Sequence, residues 1–147
     1  MSIVDRIQTD QRSALKAGEK ERLSALRLLS SELKNRRIEL GRDLTDDDAV
    51  EVLMKALKQR RESEEQFAQG GRPELAAREA AEAEVIRGYL PAQLSDEELD
   101  AMIDAAIAEA RASTMKDMGA VMGRLMPRLR GRAEGAVVSA RVKERLG

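Results

Sequence analysis

The sequence predicts an all-α fold, with an N-terminal helical domain of about four helices over residues 1–92 and a three-helix C-terminal domain over residues 93–147. Three observations lead there. Charged residues make up 36% of the chain, and the apolar 42%, mostly Ala, Leu, Val, Ile and Met, recurs at helical spacing. Aromatic residues amount to 1% (Phe67 and Tyr89), so no large rings fill space and the core must be thin. Glycines and prolines fall between the periodic stretches, at Gly18, Gly41, Gly70-Gly71 with Pro73, and Gly88 with Pro91.

Residues 2–16 form a first helix with Ile3, Ile7, Ala14 and Leu15 as its apolar set, ended by Gly18. Residues 19–40 form a second, whose Leu26, Leu29, Leu33 and Leu40 share one face, and Gly41 is its stop. The third opens L-T-D-D-D-A, with Thr45 as N-cap, Asp48 three residues on, and three aspartates where the helix dipole favours them. Val50, Leu53, Met54 and Leu57 are its buried set, and Q-G-G-R-P ends it with Pro73 at the first turn of a fourth helix. There Glu79 and Glu82 interrupt a stripe of Leu75 and Ile86, and folding back around Gly70-Gly71 places Arg61 opposite both glutamates. Gly88 and Pro91 break that helix, and a domain boundary is expected between residues 90 and 94. S-D-E-E is a capping box (Ser95 with Glu98), with Leu94 stapled to Leu99, and it starts a fifth helix over 96–110 that buries Leu99, Ile103, Ala106 and Ala110.

Thr114 and Asp117 repeat the capping pattern before a helix over 115–129, in which Met115, Met118, Met122, Leu125, Met126 and Leu129 share an arc expected to be core. Lys116, Arg124 and Arg128 lie opposite, and Gly119 and Gly123 sit on the seam between the two arcs. Each helical glycine costs about 1 kcal/mol relative to Ala. The offset is expected from a neighbouring helix packed close, or from a ligand or RNA backbone brought close between arginines. Pro127 presses on the carbonyl of residue 123, so a kink eased by Gly123 is expected and not a stop. Arg128, Arg130 and Arg132 then surround a turn at Gly131, and a last helix buries Val138, Val142 and Leu146 with Arg141 and Arg145 beside them.

The net charge is −1, but residues 95–112 carry one basic and six acidic side chains, and residues 113–147 carry eight basic and three acidic. A basic surface without aromatic partners suits backbone phosphates and not base readout. With no cysteine and no histidine, disulfides, thiol nucleophiles, Cys/His zinc sites and imidazole catalysis are excluded. No catalytic residues, metal site or cofactor are expected. The charged start M-S-I-V-D-R-I-Q lacks a signal-peptide core, and no apolar run reaches bilayer length, so a soluble cytoplasmic protein is expected.

Y-L-P-A-Q-L-S-D-E-E-L and S-T-M-K-D-M-G-A-V-M-G-R-L-M-P-R-L-R-G-R-A-E-G resemble the YqeY family, small bacterial proteins that share the GatB/YqeY tail domain. R-L-S-A-L-R-L-L-S-S-E-L-K-N, R-R-E-S-E-E-Q-F and G-R-P-E-L-A extend the resemblance over essentially the whole chain, and the match is strongest at Gly119, Val121, Met122, Gly131, Arg132 and Ala133. The resemblance implies a helical N-terminal domain and a tail similar to the end of the GatB component of the aspartyl/glutamyl-tRNA amidotransferase, where it contacts tRNA away from the catalytic centre. One departure is Glu134, where the family commonly has Asp or Asn as the next N-cap.

The expected function is accordingly a noncatalytic tRNA-binding or translation-associated module. Its RNA-binding candidates are Lys116, Gly119, Gly123, Arg124, Arg128, Arg130, Gly131 and Arg132. The alternatives are a protein-interaction adaptor, whose K-N-R-R and K-Q-R-R clusters (residues 34–37 and 58–61) meet acidic partners, and an accessory factor of a glutamine-dependent carbon–nitrogen ligase. The shared tail alone supplies no chemistry, and the chain has neither predicted strands nor a glycine-rich phosphate loop.

Overall fold

Helices account for all the regular structure. The computed structural model, which describes residues 1–147, contains α1 (Ile3–Ala17), α2 (Lys20–Leu40), α3 (Asp46–Gln69), α4 (Pro73–Arg87), α5 (Asp96–Ala110), a 3-10 turn (Met115–Asp117), α6 (Met118–Leu129) and α7 (Gly135–Leu146). There is no strand, and the fold is all-α. The chain divides into two compact units, Met1–Leu90 and Pro91–Gly147, and each has its own core.

In the N-terminal unit, α1 and α2 form one hairpin and α3 and α4 another. Gly18 closes the first at φ 71°, a left-handed value that costs a residue with a Cβ energy. Side chains start two of these helices. Ser2 accepts from the Asp5 amide, and Thr45 and Asp48 form the full capping box, each side chain bonded to the other's backbone N–H. The Asp48 carboxyl is held far below the ordinary range, chiefly by the Arg42 guanidinium bonded to it and by the Thr45 amide. The Ile3 amide donates to Asp46 at 3.0 Å and joins the start of α1 to the start of α3.

The core of this unit centres on Ile7, Leu26 and Leu53, with Leu29, Leu33, Ala49, Leu57, Ala83 and Ile86 around them. Leu15, expected inside, is 59% exposed, because α1 turns only Ile3, Ile7 and Ala14 inward. Leu23, outside the expected apolar face of α2, is buried in its stead. Tyr89 ends the unit. Its hydroxyl donates to Asp10, Arg6 stacks over its ring at 5.2 Å, and burial followed by the Asp10 bond pushes the phenol well above its ordinary range.

The interrupting glutamates of α4 do face a cation on α3, but the ion pairs to both are made by Arg60, at 3.5 Å to Glu79 and 3.0 Å to Glu82. Arg60 is the sequence neighbour of the expected Arg61, which is itself exposed. The pairing is strained electrostatically. Glu79 Oε2 is buried and accepts no hydrogen bond, and burial raises the Glu79 carboxyl above its ordinary range against the pull of Arg60.

The C-terminal unit packs α5, α6 and α7 around Ile103, Ala106, Val121, Leu125, Leu129, Val138 and Val142. Ser95 and Glu98 start α5 with the expected capping box, and Leu94 packs against the same cluster as Leu99. The start of α7 matches the expected weakness: Glu134 is its N-cap and makes no side-chain capping bond. Residues 91–94 lie along the turn after α6. The Leu94 amide donates to the Arg132 carbonyl at 3.0 Å, the Gln93 side-chain amide to the Gly131 carbonyl at 2.6 Å, and Arg132 Nε to the Ala92 carbonyl at 3.2 Å.

Candidate nucleic-acid interface

The candidate residues sit on α6 and the turn that follows it. Asp117 closes the entry, accepting from the Ser113 and Thr114 amides at 2.9 and 3.2 Å, and those bonds lower its carboxyl. Only then does regular α-helix begin, at Met118, with the 3-10 turn filling residues 115–117. The buried stripe of α6 is Val121, Leu125 and Leu129, with Met118 and Met122 half-buried at its edges. Met115 and Met126, expected inside, are 44% and 37% exposed. The true stripe follows the branched residues, and a wheel weighted by methionine is rotated away from it.

That rotation decides what the two helix glycines face. A β-carbon built on Gly119 or Gly123 meets no atom within 4 Å beyond the adjoining residues and backbone of its own helix. Neither glycine admits a neighbouring helix, which corrects the first of the two offsets expected for them. The helix runs through Pro127 to Leu129 without stopping. Gly119, Ala120, Gly123 and Pro127 therefore form an exposed strip of backbone with little side-chain cover.

The cations around this strip differ in how they are engaged. Lys116 is exposed and makes no ion pair. Arg124 and Arg128 both reach Glu109 of α5, at 3.8 and 3.3 Å, with about half of each side chain exposed. Arg130 is the C-cap residue of α6 and is exposed. Gly131 and Arg132 have internal positions: the glycine is buried at φ 76°, and the Arg132 guanidinium bonds the Ala92 carbonyl. The structure thus brings Lys116, Gly119, Gly123, Arg124 and Arg128 onto α6 and its entry, and sets Gly131 and Arg132 into the turn that holds residues 91–94.

The positive charge expected beside α7 is compensated within the unit. Arg141 pairs with Asp96 and Asp100 at 2.9 and 2.7 Å, and Arg145 with Asp100 and Asp104 at 3.3 and 2.7 Å. The Arg141 bond holds Asp100 below the ordinary carboxylate range. The acidic side chains of α5 recur every four residues along the helix, at 96, 100 and 104, and the basic ones of α7 at 141 and 145. Counting the two charge blocks along the chain does not register them against each other.

No helix of the chain is long and apolar enough to cross a membrane. Among known families, the one described as Yqey-like protein matches residues 4–146. A curated relative from Lachancea thermotolerans, "Altered inheritance of mitochondria protein 41, mitochondrial", is 34% identical over 104 residues, or 68% of this chain and 55% of that protein. The chain spans about half the length of the curated relative it matches.

Proposed function

The chain belongs to the YqeY-like family, and on that premise we propose that it is a noncatalytic tRNA-binding, translation-associated module whose α6 face meets the tRNA backbone. The observation that carries the proposal is the open strip at Gly119 and Gly123. Two exposed glycines weaken a short helix by up to about 1 kcal/mol each, and no packing contact at their β-carbon positions offsets that cost. Close approach of an external backbone does, because a helix without side chains lets phosphates reach the flanking cations. Lys116, Arg124 and Arg128 then act as point contacts, with Arg130 at the end of the row. The polyanion is named as tRNA by the resemblance of this unit to the tail of the amidotransferase's GatB component.

Three neutralised phosphates give a log–log salt slope of about −2 to −3. Fluorescence anisotropy with labelled tRNA tests this directly. Arg124→Ala with Arg128→Ala should weaken binding about tenfold or more and flatten the slope by about 1–2. Gly119→Leu should weaken binding without changing the slope, because it adds bulk and removes no charge. Glu109→Gln should tighten binding, because it releases both arginines from their internal carboxylate. Absent tRNA binding, or the same affinity across these variants, would sink the proposal. Partners recovered from cells that survive ribonuclease treatment would favour the adaptor instead.

A further inference from the structure

The N-terminal unit has an open seam between α1 and α2, on a different unit from the α6 face. Two adjoining hollows, of about 580 and 250 Å³, share Gln8 and Gln11 along the hairpin, and where they meet the Ser30 hydroxyl of α2 donates to the Gln11 side-chain oxygen of α1 at 2.7 Å, so an occupant lies over this bridge from one hollow to the next. On α2 the groove is lined at Leu23, Arg27, Ser30, Lys34 and Arg37, alternating steps of four and three residues that define a single helical face. On α1 it is lined by Val4, Gln8, Gln11 and Leu15 at the same alternation. From Leu23 to Arg37 the face extends about 21 Å, or four turns.

We propose that this seam is a docking groove for an acidic amphipathic helix of a partner protein. Charge supplies the first reason. Arg12, Arg27 and Lys34 are exposed along the groove and make no ion pair within the chain, unlike Arg36 and Arg60 nearby. Acids occur only at the far end, where Asp43 pairs with Arg37 at 3.2 Å and Asp5 lies close to the entrance. That end suits the positive N-terminus of a docked helix, which leaves its carboxylates for Arg12, Arg27 and Lys34.

The apolar lining supplies the second reason, and it separates a protein from a nucleic acid. Val4 and Leu44, both half-buried, line the larger hollow above the buried Leu33, and Leu15 stands 59% exposed at the smaller one. Apolar anchors at one-turn spacing fill such positions, whereas a phosphate backbone gains nothing from them and no aromatic ring lines the groove for a base. The exposure of Leu15 is then that of a contact residue and not of a misplaced core leucine.

The probe is a fluorescein-labelled helical peptide of about 16 residues, with leucines at one-turn spacing and glutamates between them. It is measured by anisotropy against the full chain, beside a scramble of the same composition and a single-stranded RNA of equal charge. The patterned peptide should bind about tenfold or more tighter than its scramble. Arg27→Glu with Lys34→Glu should abolish that difference while the far-ultraviolet circular dichroism is unchanged, and Leu15→Glu should weaken binding independently of salt. Equal binding of peptide and scramble, or indifference to the double variant, would overturn the proposal. So would loss of RNA binding but not peptide binding in the double variant, or self-association of the parent chain that Leu15→Glu abolishes.

Discussion

Replacing Gly119 and Gly123 together by alanine should make the protein more stable. In most helices packed against neighbours an added methyl clashes, but here each β-carbon has no atom within 4 Å beyond the adjoining residues and backbone of its own helix. The gain is therefore close to the intrinsic propensity difference, about 1 kcal/mol for a mid-helix position. Gly119 is the second residue of α6, where fewer backbone bonds depend on helicity, so its share is smaller. The sum is about 1–2 kcal/mol, which for a unit of this size raises the midpoint by about 4–8 °C per kcal/mol. Urea denaturation followed by far-ultraviolet circular dichroism reads the total, and hydrogen exchange of α6 peptides locates it. A lower midpoint, or faster exchange in α6, would refute the reasoning, because it would mean that something occupies that face in solution or that the segment is not helical there. Stability gained by alanine, set beside tRNA affinity lost by leucine at Gly119, would show two glycines kept for binding at the expense of the helix.

Glu79→Gln should raise stability at neutral pH. Burial places the folded carboxyl above its unfolded value, so the folded state is favoured below the ordinary glutamate range, and that advantage is lost as pH rises through the raised folded value. The variant should flatten this part of the pH–stability curve, whereas Arg60→Met should cost about 2–4 kcal/mol by leaving both glutamates without their cation. Caps give a matched pair: Thr45→Ala should cost about 1 kcal/mol in the N-terminal unit, and Glu134→Asp should add up to about 1 kcal/mol to the C-terminal one, both by urea midpoint. Gly131→Ala should cost about 1–2 kcal/mol through its left-handed backbone, and proteolysis should then cut first within residues 91–94, which that turn holds.

Local signals are legible where a few neighbouring residues decide the outcome. The capping boxes at Thr45 and Ser95, the proline at the start of α4 and the weak cap at Glu134 each depend on four residues or fewer, and each is as the sequence implies. Rotational phase is harder to read. Arg60, beside the expected Arg61, pairs with both glutamates of α4, and Val121 sits at the centre of α6 where methionines are expected, because an arc of apolar residues on a wheel tolerates a shift of one position. Registry between helices is not legible at all. Pairing of α5 acids with α7 bases depends on how two helices are offset along their length, and no run of either sequence records that offset. The candidate RNA face is visible as residues, but its openness is not, since an empty space beside a glycine leaves no mark in the chain.

The Tyr89 clamp has an optical consequence. With Phe67 it is one of the chain's two aromatic residues, and both belong to the Met1–Leu90 unit. The near-ultraviolet absorbance, dichroism and intrinsic fluorescence of the whole protein therefore originate in one of its two units, from a phenol bonded to Asp10 beneath Arg6. The α5–α7 bundle is dark at those wavelengths and visible only through its backbone. Melting the bundle alone leaves the tyrosine signal untouched while the far-ultraviolet helix signal falls, so two wavelengths on one unlabelled sample separate the stability of the unit with the proposed docking groove from that of the unit with the proposed RNA face.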